Sequence, residues 1–384
     1  MRAVAYLLLS DGTRFQSPSG GGHSGADRKA CGEVVFVTSM SGYQEAVTDP
    51  SSLGQILVMT YPLVGNYGTN EADQESDSIQ CAGLIVSELC EAPCNWKSTR
   101  TLGAYLAGRG VPVLTGMDTR AIARYIAKHG AMPGMIVEDS DGAENGKTSE
   151  ETESRMNDSA ENASNLALLA EWKLHNPAKK ATCVHKYTIP GTGPRVAVLD
   201  LGTRRSAMAG LIRHGCELTV YPADTGAEEI LRGDPNGVML TGGPGSPDQD
   251  EALIATTRIL CERVPVMGIG LGMLMIARAY GASVYKLPYG HHGSNCPVRD
   301  VERRTCLITL QHDAYAIAKE GLPSGVRVTH ENLNDQTVAG IAVAGTRAFG
   351  VNYHPESGAT LRGVRTVYNR FLAMMPDKEG KMHA

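Results

Sequence analysis

The sequence lacks the long apolar runs and the excess charge of one sign that mark several common protein classes. No stretch approaches about 18 apolar residues, and the N-terminus has no basic region before an apolar run, so neither a spanning helix nor a signal peptide is predicted. The net charge is only −5 over 384 residues, which argues against a nucleic-acid or anionic-membrane partner. A cytoplasmic protein is therefore expected.

The sequence also lacks the paired cysteines of metal sites. Its nine cysteines are scattered, odd in number and without a Cys-x-x-Cys pair. Cys90 and Cys94 lie close together, but no second pair or nearby histidine completes a zinc set. Reduced, mostly structural thiols are expected, with no metal and no cofactor.

Two α/β domains are predicted on either side of a polar segment, because the chain is too long for one typical core. Residues 1–137 alternate short β-branched runs with turns and helical spacing. Residues 138–165 carry nine acidic and two basic residues, which predicts a flexible, exposed insertion that continues as a linker to 193. Residues 194–378 alternate apolar strands with helical segments, which implies a mainly parallel sheet.

The second domain contains a strand–turn–helix elbow. An apolar strand at 264–267 meets three alternating glycines, Gly268, Gly270 and Gly272, and continues as a helix. Such an elbow usually presents a reactive side chain at its apex, at the top of an α/β sheet. Here the apex is Gly270, which has none. A dinucleotide-binding loop would need a glycine where Met273 stands, so that alternative is disfavoured.

Further motifs are distributed along the chain: Thr38-Ser-Met-Ser-Gly-Tyr-Gln-Glu45, Gly65-Asn-Tyr-Gly-Thr-Asn70, Asp118-Thr-Arg120, Gly242-Gly-Pro-Gly245, Gly290-His-His-Gly293 and His354-Pro-Glu356. With the elbow, they resemble the small subunit of carbamoyl phosphate synthetase, a class I glutamine amidotransferase, over almost the whole chain. The resemblance implies a small-subunit α/β domain followed by an amidotransferase-like α/β domain.

The departures from the family pattern lie at the positions that the family uses for catalysis and glutamine binding. The family's nucleophilic cysteine corresponds to Gly270, its next histidine to Met273 and its glutamine-binding glutamine to Leu274. His354 and Glu356 stand where the resemblance implies a proton-transferring histidine and the carboxylate that orients it. Without the resemblance, a lone histidine at a strand end would be interpreted as a surface or capping residue.

The resemblance also implies a glutamine pocket whose residues have drifted. It assigns substrate contacts to Gly243, Gly245 and Leu271, and to Ser51, which in the family reaches the glutamine from the first domain. The family segment Gln-Asn-His-Gly-[Phe/Tyr] is Gln311-His-Asp-Ala-Tyr315 here, which places His312, Ala314 and Tyr315 in the pocket. Without the resemblance, the Gly, Asn and Thr clusters would be interpreted as turns.

The leading functional hypothesis is a small-subunit homologue that has lost glutamine hydrolysis. It would form a heterodimer with an ATP-binding synthetase large subunit in arginine, pyrimidine or specialised metabolism. A glutamine-like molecule would bind weakly, because Leu274 removes an amide from the pocket.

Two alternatives stay open. The pocket could serve another reaction in a specialised biosynthetic pathway, using His354, Glu356, His312 and Asp313. Glutaminase activity could also survive through a relocated thiol, in the loop at Cys296 or at the helix end at Cys261.

Overall fold

The computed structural model describes residues 4–17, 29–139, 160–357 and 361–376. The chain divides into two compact units, Met1–Leu174 and His175–Ala384. Each unit contains a β-sheet with helices packed on it, so the predicted α/β class is confirmed. No helix within the described ranges is long and apolar enough to cross a membrane.

The first unit is built on one seven-stranded sheet. The strands of this unit are β1 (Val4–Leu9), β2 (Arg14–Gln16), β3 (Ala30–Val37), β4 (Gln55–Met59), β5 (Leu63–Val64), β6 (Gly83–Ile85), β7 (Glu88–Leu89), β8 (Val113–Leu114) and β9 (Met132–Asp139). Of these, β5 and β7 pair in a separate two-stranded sheet. Its helices are α1 (Tyr43–Thr48), α2 (Leu102–Ala107), α3 (Thr119–His129) and α4 (Ala160–Glu171), with a 3₁₀ turn at Pro50–Ser52. The strand order is β2-β1-β9-β3-β4-β6-β8, and β3, β4, β6 and β8 run parallel.

Two of the sequence motifs of this unit bind each other. The Gln44 amide donates to the Asn70 carbonyl at 2.6 Å and accepts the Asn70 N–H at 2.9 Å. The Tyr43 hydroxyl donates to the Gly68 carbonyl at 2.7 Å, and its ring stacks on Tyr67 with centroids 4.2 Å apart. These side chains therefore satisfy backbone groups of neighbouring loops, as the turn interpretation predicts.

The predicted insertion and linker at 138–193 differs from the structure where it is described. Residues 140–159 of this segment lie outside the described residues. Residues 138–139 end β9, and α4 begins at Ala160 although a flexible insertion was predicted to residue 165. Leu169 of α4 is buried among apolar side chains of β1 and β9, and Asn165 is fully buried. This packing was hidden by the polar composition, because only one face of the helix is apolar.

The second unit is built on one ten-stranded sheet. Its strands are β10 (Tyr187–Ile189), β11 (Arg195–Asp200), β12 (Glu217–Pro222), β13 (Gly237–Leu240), β14 (Val266–Ile269), β15 (Val284–Asp300), β16 (Thr305–Ile317), β17 (Val326–Asn332), β18 (Val338–Val343) and β19 (Ala348–Val351). Its helices are α5 (Pro177–Ala181), α6 (Arg205–Ile212), α7 (Ala227–Arg232), α8 (Glu251–Arg263), α9 (Leu271–Ala279) and α10 (Leu361–Ala373), with 3₁₀ turns at Pro247–Gln249 and Pro355–Ser357.

The ten-stranded sheet has a parallel centre and an antiparallel extension. Strands β12, β11, β13, β14 and β19 are parallel neighbours, whereas β18, β17, β15 and β16 continue the sheet antiparallel. Helices α7, α8 and α9 cover one face, and α6 and α10 cover the other. The parallel strands place their carboxyl ends at one edge, where the elbow and the His354 loop lie.

Candidate active site

The turn between β14 and α9 has the strained backbone of a nucleophile elbow. Gly270 stands at its apex with φ 51° and ψ −116°, a combination that any side chain disfavours. Its N–H donates to the Val351 carbonyl at 2.9 Å, and its carbonyl accepts the Leu274 N–H at 3.1 Å. The predicted strand, turn and helix are thus confirmed.

The two flanking glycines permit close packing on either side of the turn. A Cβ on Gly268 would lie 2.6 Å from backbone atoms of Gly272 and Met273. A Cβ on Gly272 would lie 2.3 Å from the Leu240 carbonyl oxygen. Of the three glycines, Gly270 alone has a positive φ, so the reversal occurs there and the other two bring helix and strands together.

The apex has room for a side chain. A Cβ on Gly270 would meet the Gly242 Cα at 3.5 Å and the Asp313 Oδ1 at 3.9 Å, which are ordinary contacts. Crowding therefore does not require glycine at 270. What glycine relieves is backbone strain, which costs a residue with a Cβ about 1–3 kcal/mol in such a conformation.

His354 lies beside the same glycine loop as the apex. A Cβ on Gly242 would be 4.0 Å from the His354 Cε1, and Gly242 is also the nearest backbone to the space above Gly270. The His354 N–H donates to the Leu310 carbonyl at 2.9 Å, which holds the loop after β19 against β16. The structure thus brings together Gly270, Gly242 and His354, which are far apart in sequence.

His354 and Glu356 form a buried pair. The His354 Nδ1 lies 3.3 Å from the Glu356 Oε1, and the carboxylate side chain is fully buried. The Nε of Arg204, the residue before α6, lies 3.8 Å from the same oxygen. Sequence analysis missed Arg204, although its position just after β11 places it at the same sheet edge as His354.

Glu356 is held in its charged form. Burial alone would raise its pKa, but the neighbouring imidazole of His354 and the guanidinium of Arg204 hold the pKa below the ordinary value. A carboxylate placed at the Nδ1 of an imidazole fixes the orientation of the ring and stabilises its protonated form. The predicted role of this pair in proton transfer stays a prediction.

The glycine loop 242–245 packs tightly against its surroundings. A Cβ on Gly243 would collide with the Leu201 carbonyl oxygen, and one on Gly245, which has φ 96°, would lie 2.2 Å from the Pro177 Cγ. Leu271 is the first residue of α9, so its N–H belongs to the helix turn that lacks intrahelical acceptors. The predicted roles of Gly243, Gly245 and Leu271 toward a substrate stay predictions.

Leu274 and Met273 belong to the core that lies under the elbow. Leu274 is 4% exposed, and Met273 is 0% exposed with its side chain against Gly350 of β19. Both pack in the cluster that joins α9 to Leu240 and Ile341. A glutamine at 274 or a histidine at 273 would have to bring polar atoms to this apolar boundary.

The segment from Gln311 to Tyr315 lies in β16, opposite β15. His312 is directly opposite His292, and the two rings meet edge to face with centroids 4.5 Å apart. Burial, followed by the neighbouring His312 and His291, lowers the pKa of His292 well below its ordinary value, so its ring is neutral. These paired histidines form part of the β15–β16 ladder.

Asp313 faces the apex, and its neighbours in the strand face the other way. Its Oδ1 lies near the space above Gly270, as described above. Side chains alternate along a strand, so His312 and Ala314 lie on the opposite face of β16. The alternative site that combines His354, Glu356, His312 and Asp313 thus divides between two faces of the sheet.

Two predicted pocket residues are held by local contacts. The Tyr315 carbonyl accepts a hydrogen bond from the Asn352 amide at 3.3 Å. In the first unit, the Ser51 N–H donates to the Asp49 Oδ1 at 2.8 Å within the 3₁₀ turn, and Ser51 is buried. The roles of Ser51, Ala314 and Tyr315 in a glutamine pocket stay predictions.

Neither candidate replacement thiol resembles an activated nucleophile. Cys296 lies within β15, where a loop was predicted, because β15 continues past the Gly290-His-His-Gly293 turn signal to Asp300. Burial, with the charges of Asp313 and Asp335, raises the pKa of Cys296 to about 12. Burial likewise raises the pKa of Cys261, in α8, to about 12. Within the described ranges, no group of three or more His, Cys, Asp or Glu side chains could hold a metal ion.

Both units match known families along the chain. Residues 7–136 match the family described as carbamoyl-phosphate synthase small chain, CPSase domain. Residues 197–374 match the family described as glutamine amidotransferase class-I.

Full-length relatives agree with these matches. The carbamoyl phosphate synthase small chain of Symbiobacterium thermophilum is 43% identical over 96% of this chain and 97% of the relative. Those of Listeria innocua and Streptococcus agalactiae are 37% and 35% identical, each over 98% of this chain and 99% of the relative. The chain therefore belongs to the carbamoyl phosphate synthase small chain family.

Proposed function

We propose that this chain is a small-subunit homologue that has lost glutamine hydrolysis and acts as a structural or regulatory partner of a synthetase large subunit. The observation that carries the proposal is Gly270, which occupies the strained apex of an otherwise intact elbow. A glutaminase of this class needs a thiolate at that point to attack the substrate amide. The His354–Glu356 pair has no nucleophile at the apex to activate.

The size of the effect follows from how such catalytic groups act together. Removing the nucleophile from a linked catalytic unit costs on the order of a millionfold in rate, or about 8 kcal/mol of barrier. A residual oxyanion site at the glycine loop and the start of α9 would recover only a small part of the lost rate. Leu274 further weakens the pocket, because an apolar side chain replaces a hydrogen-bonding amide.

The proposed partner is an ATP-binding large subunit, and the proposed complex uses ammonia from solution. The support is the match to the small-chain family over both units, which includes the unit outside the amidotransferase match. With the elbow, the dyad and both cores preserved, the fold is available for subunit contact and regulation even when hydrolysis is lost.

Co-expression with the large subunit tests this function. The two chains should purify together, and the complex should make carbamoyl phosphate from ammonium chloride, ATP and bicarbonate but not from glutamine. A large subunit that does not bind the chain, or a complex that is equally active with glutamine, would contradict the proposal. Glutamine controls must be freed of contaminating ammonia.

A second candidate is an enzyme of another reaction that uses the emptied apex. The position of the Asp313 carboxylate beside Gly270, with His354 at the neighbouring glycine, is what favours it. A pocket of this kind could hold a cationic or amine-bearing substrate. Discovery of substrate turnover that is abolished by both Asp313→Asn and His354→Asn would support this candidate, whereas binding of a large subunit alone would not.

A further inference from the structure

The second unit contains a cavity that the candidate active site does not use. It has a volume of about 570 Å³ and lies among β16, β17, β19 and α10. Phe349, Val351 and Tyr353 line it and share a core cluster with Phe371 of α10. Gly350 faces the other way, toward Met273 of α9. The cavity therefore lies on the face of the sheet opposite the elbow, and its volume is in the range of small-molecule sites.

A buried hydroxyl lines this cavity without a protein partner. Tyr353 is 3% exposed, and its Oη has no hydrogen-bond partner within the described part of the chain. Burial raises the pKa of Tyr353, followed by the charge of Asp300, so the group is a neutral donor. A buried hydroxyl without a partner is unfavourable, and an acceptor atom on a ligand would satisfy it.

The guanidinium group of Arg370 also lines the cavity. Arg370 lies over the Phe349 ring, 4.5 Å from its centroid, and forms no ion pair with any residue that the structure describes. Burial lowers the pKa of Arg370 and the positive charges of Arg327 and Arg303 lower it further, whereas the charge of Asp300 raises it. Three guanidinium groups thus act on one region, which favours an anion there.

The acidic residues at the cavity are already engaged. Glu302 forms an ion pair with Arg327. Asp300 accepts the N–H groups of Glu302 and Arg303 at 3.0 and 2.9 Å, and its other oxygen lies 3.9 Å from the Arg303 Nε. His330 also lines the cavity, and burial lowers its pKa to about 4 despite Asp300, so it adds no charge at neutral pH. Among the described residues, no carboxylate lies within ion-pair distance of Arg370, and Asp300 acts on it only from further away.

We propose that this cavity binds a small organic anion. Its carboxylate or phosphate group would accept the Tyr353 hydroxyl hydrogen bond and face Arg370, and its apolar body would lie against Leu307, Val351 and Val367. The site is independent of the proposed loss of glutamine hydrolysis. Its occupant would contact Val351 at the end of β19 and Tyr353 just beyond it, next to His354, so it is placed to act as an effector of the neighbouring site.

The test uses four probes of stated chemistry on the whole protein: benzoate, phenyl phosphate, benzamide and inorganic phosphate. Binding is measured by calorimetry and by protection of Cys306, an exposed thiol at the cavity, from iodoacetamide. Cys94, an exposed thiol of the first unit, is the internal control. We expect benzoate or phenyl phosphate to slow alkylation of Cys306 but not of Cys94, and the stronger of the two identifies the anionic group.

Variants locate the binding. Arg370→Met should weaken the preferred probe by about tenfold, and Tyr353→Phe, which removes one oxygen and keeps the packing, by about fivefold. Arg263→Met, on the exposed end of α8, should change binding less than about twofold because it touches no part of the cavity.

Four results would overturn the proposal. They are protection by neither organic anion, equal protection by benzamide, binding of inorganic phosphate as tight as that of phenyl phosphate, and unchanged affinity in a folded Tyr353→Phe protein.

Discussion

The Asp313 carboxylate oxygen lies 3.9 Å from the point where a Cβ on Gly270 would stand. A negative charge at this distance opposes the formation of a second anion at the apex. The apex therefore carries no thiol, and the site also holds a group that would disfavour a thiolate there. This relationship leads to a specific expectation for a restored cysteine.

A cysteine introduced by Gly270→Cys should have a higher thiol pKa than the same cysteine in Gly270→Cys/Asp313→Asn. The isosteric amide keeps the shape of Asp313 and removes its charge. The pH dependence of alkylation by iodoacetamide, followed on the peptide that contains residue 270, measures the difference. Equal pKa values in the two proteins would show that Asp313 does not act on the apex.

Restoring the cysteine alone should not restore a good glutaminase. Each missing polar contact to the substrate is worth roughly 1–3 kcal/mol, so Gly270→Cys should show a low kcat and a KM raised by orders of magnitude. Adding Leu274→Gln should recover more activity than the single change, with Gly270→Ala as the inactive control. His312 and Ala314 are left unchanged because they lie on the face of β16 away from the apex. Met273→His is left out because Met273 is fully buried against Gly350.

The outcome that contradicts this prediction is a single Gly270→Cys variant with turnover comparable to a working relative. In that case the pocket has kept its affinity for glutamine, and the loss is confined to one residue. Steady-state kinetics with glutamine, at equal content of folded protein, make the comparison.

Glu356 should stabilise the protein in a pH-dependent manner. Its folded pKa lies below the ordinary value of 4.5, so its contribution is present above that pH and is lost as the pH falls through the folded pKa. Removing one partner of a buried pair costs about 3–5 kcal/mol, so Glu356→Gln should be clearly less stable at pH 7. The difference from wild type should shrink as the pH falls below the ordinary value.

Thermal unfolding between pH 7 and pH 3 measures this effect. Glu229→Gln, on the exposed surface of α7, is the matched control and should change stability by less than about 0.5 kcal/mol. A Glu356→Gln deficit that stays constant with pH would show that packing, and not charge, is the origin of the effect.

The parts of the site that sequence analysis could predict are those formed by neighbours along the chain. Gly270 was identified as the elbow apex because its strand and helix flank it directly, and His354 and Glu356 share one short motif. The position of Asp313 depends on the register of β15 and β16, which Gly290 and Pro297 obscured by their turn-like signals. The facing side chains of long-range pairs cannot be inferred from local periodicity.

The same limit explains why the cavity and the full extent of helix α4 were not predicted from the sequence. Tyr353 and Arg370 come together only when α10 packs on β19, so no local motif marks them. For α4, the acidic and amide residues near Asn165 outweighed the few apolar positions in the composition, although the helix buries Leu169. Composition reports an average over all faces of a helix, whereas packing depends on one.

Protease should cut the chain within 140–159, as the acidic composition of that segment predicts. Because α4 packs on β9 from residue 160 onward, cleavage should not extend into it. Limited digestion followed by intact-mass analysis should give two stable pieces that meet within this range. Resistance of the segment, or cleavage that removes α4, would contradict the prediction.

Release of glutamate from glutamine is the measurement that tests the central claim most directly. The chain in complex with its large subunit, with ATP and bicarbonate present, should release no glutamate above a protein-free background, while ammonium chloride supports carbamoyl phosphate formation. Glutamate release that rises in proportion to the complex and is removed by His354→Asn would show that the site hydrolyses glutamine despite Gly270, and would contradict the account.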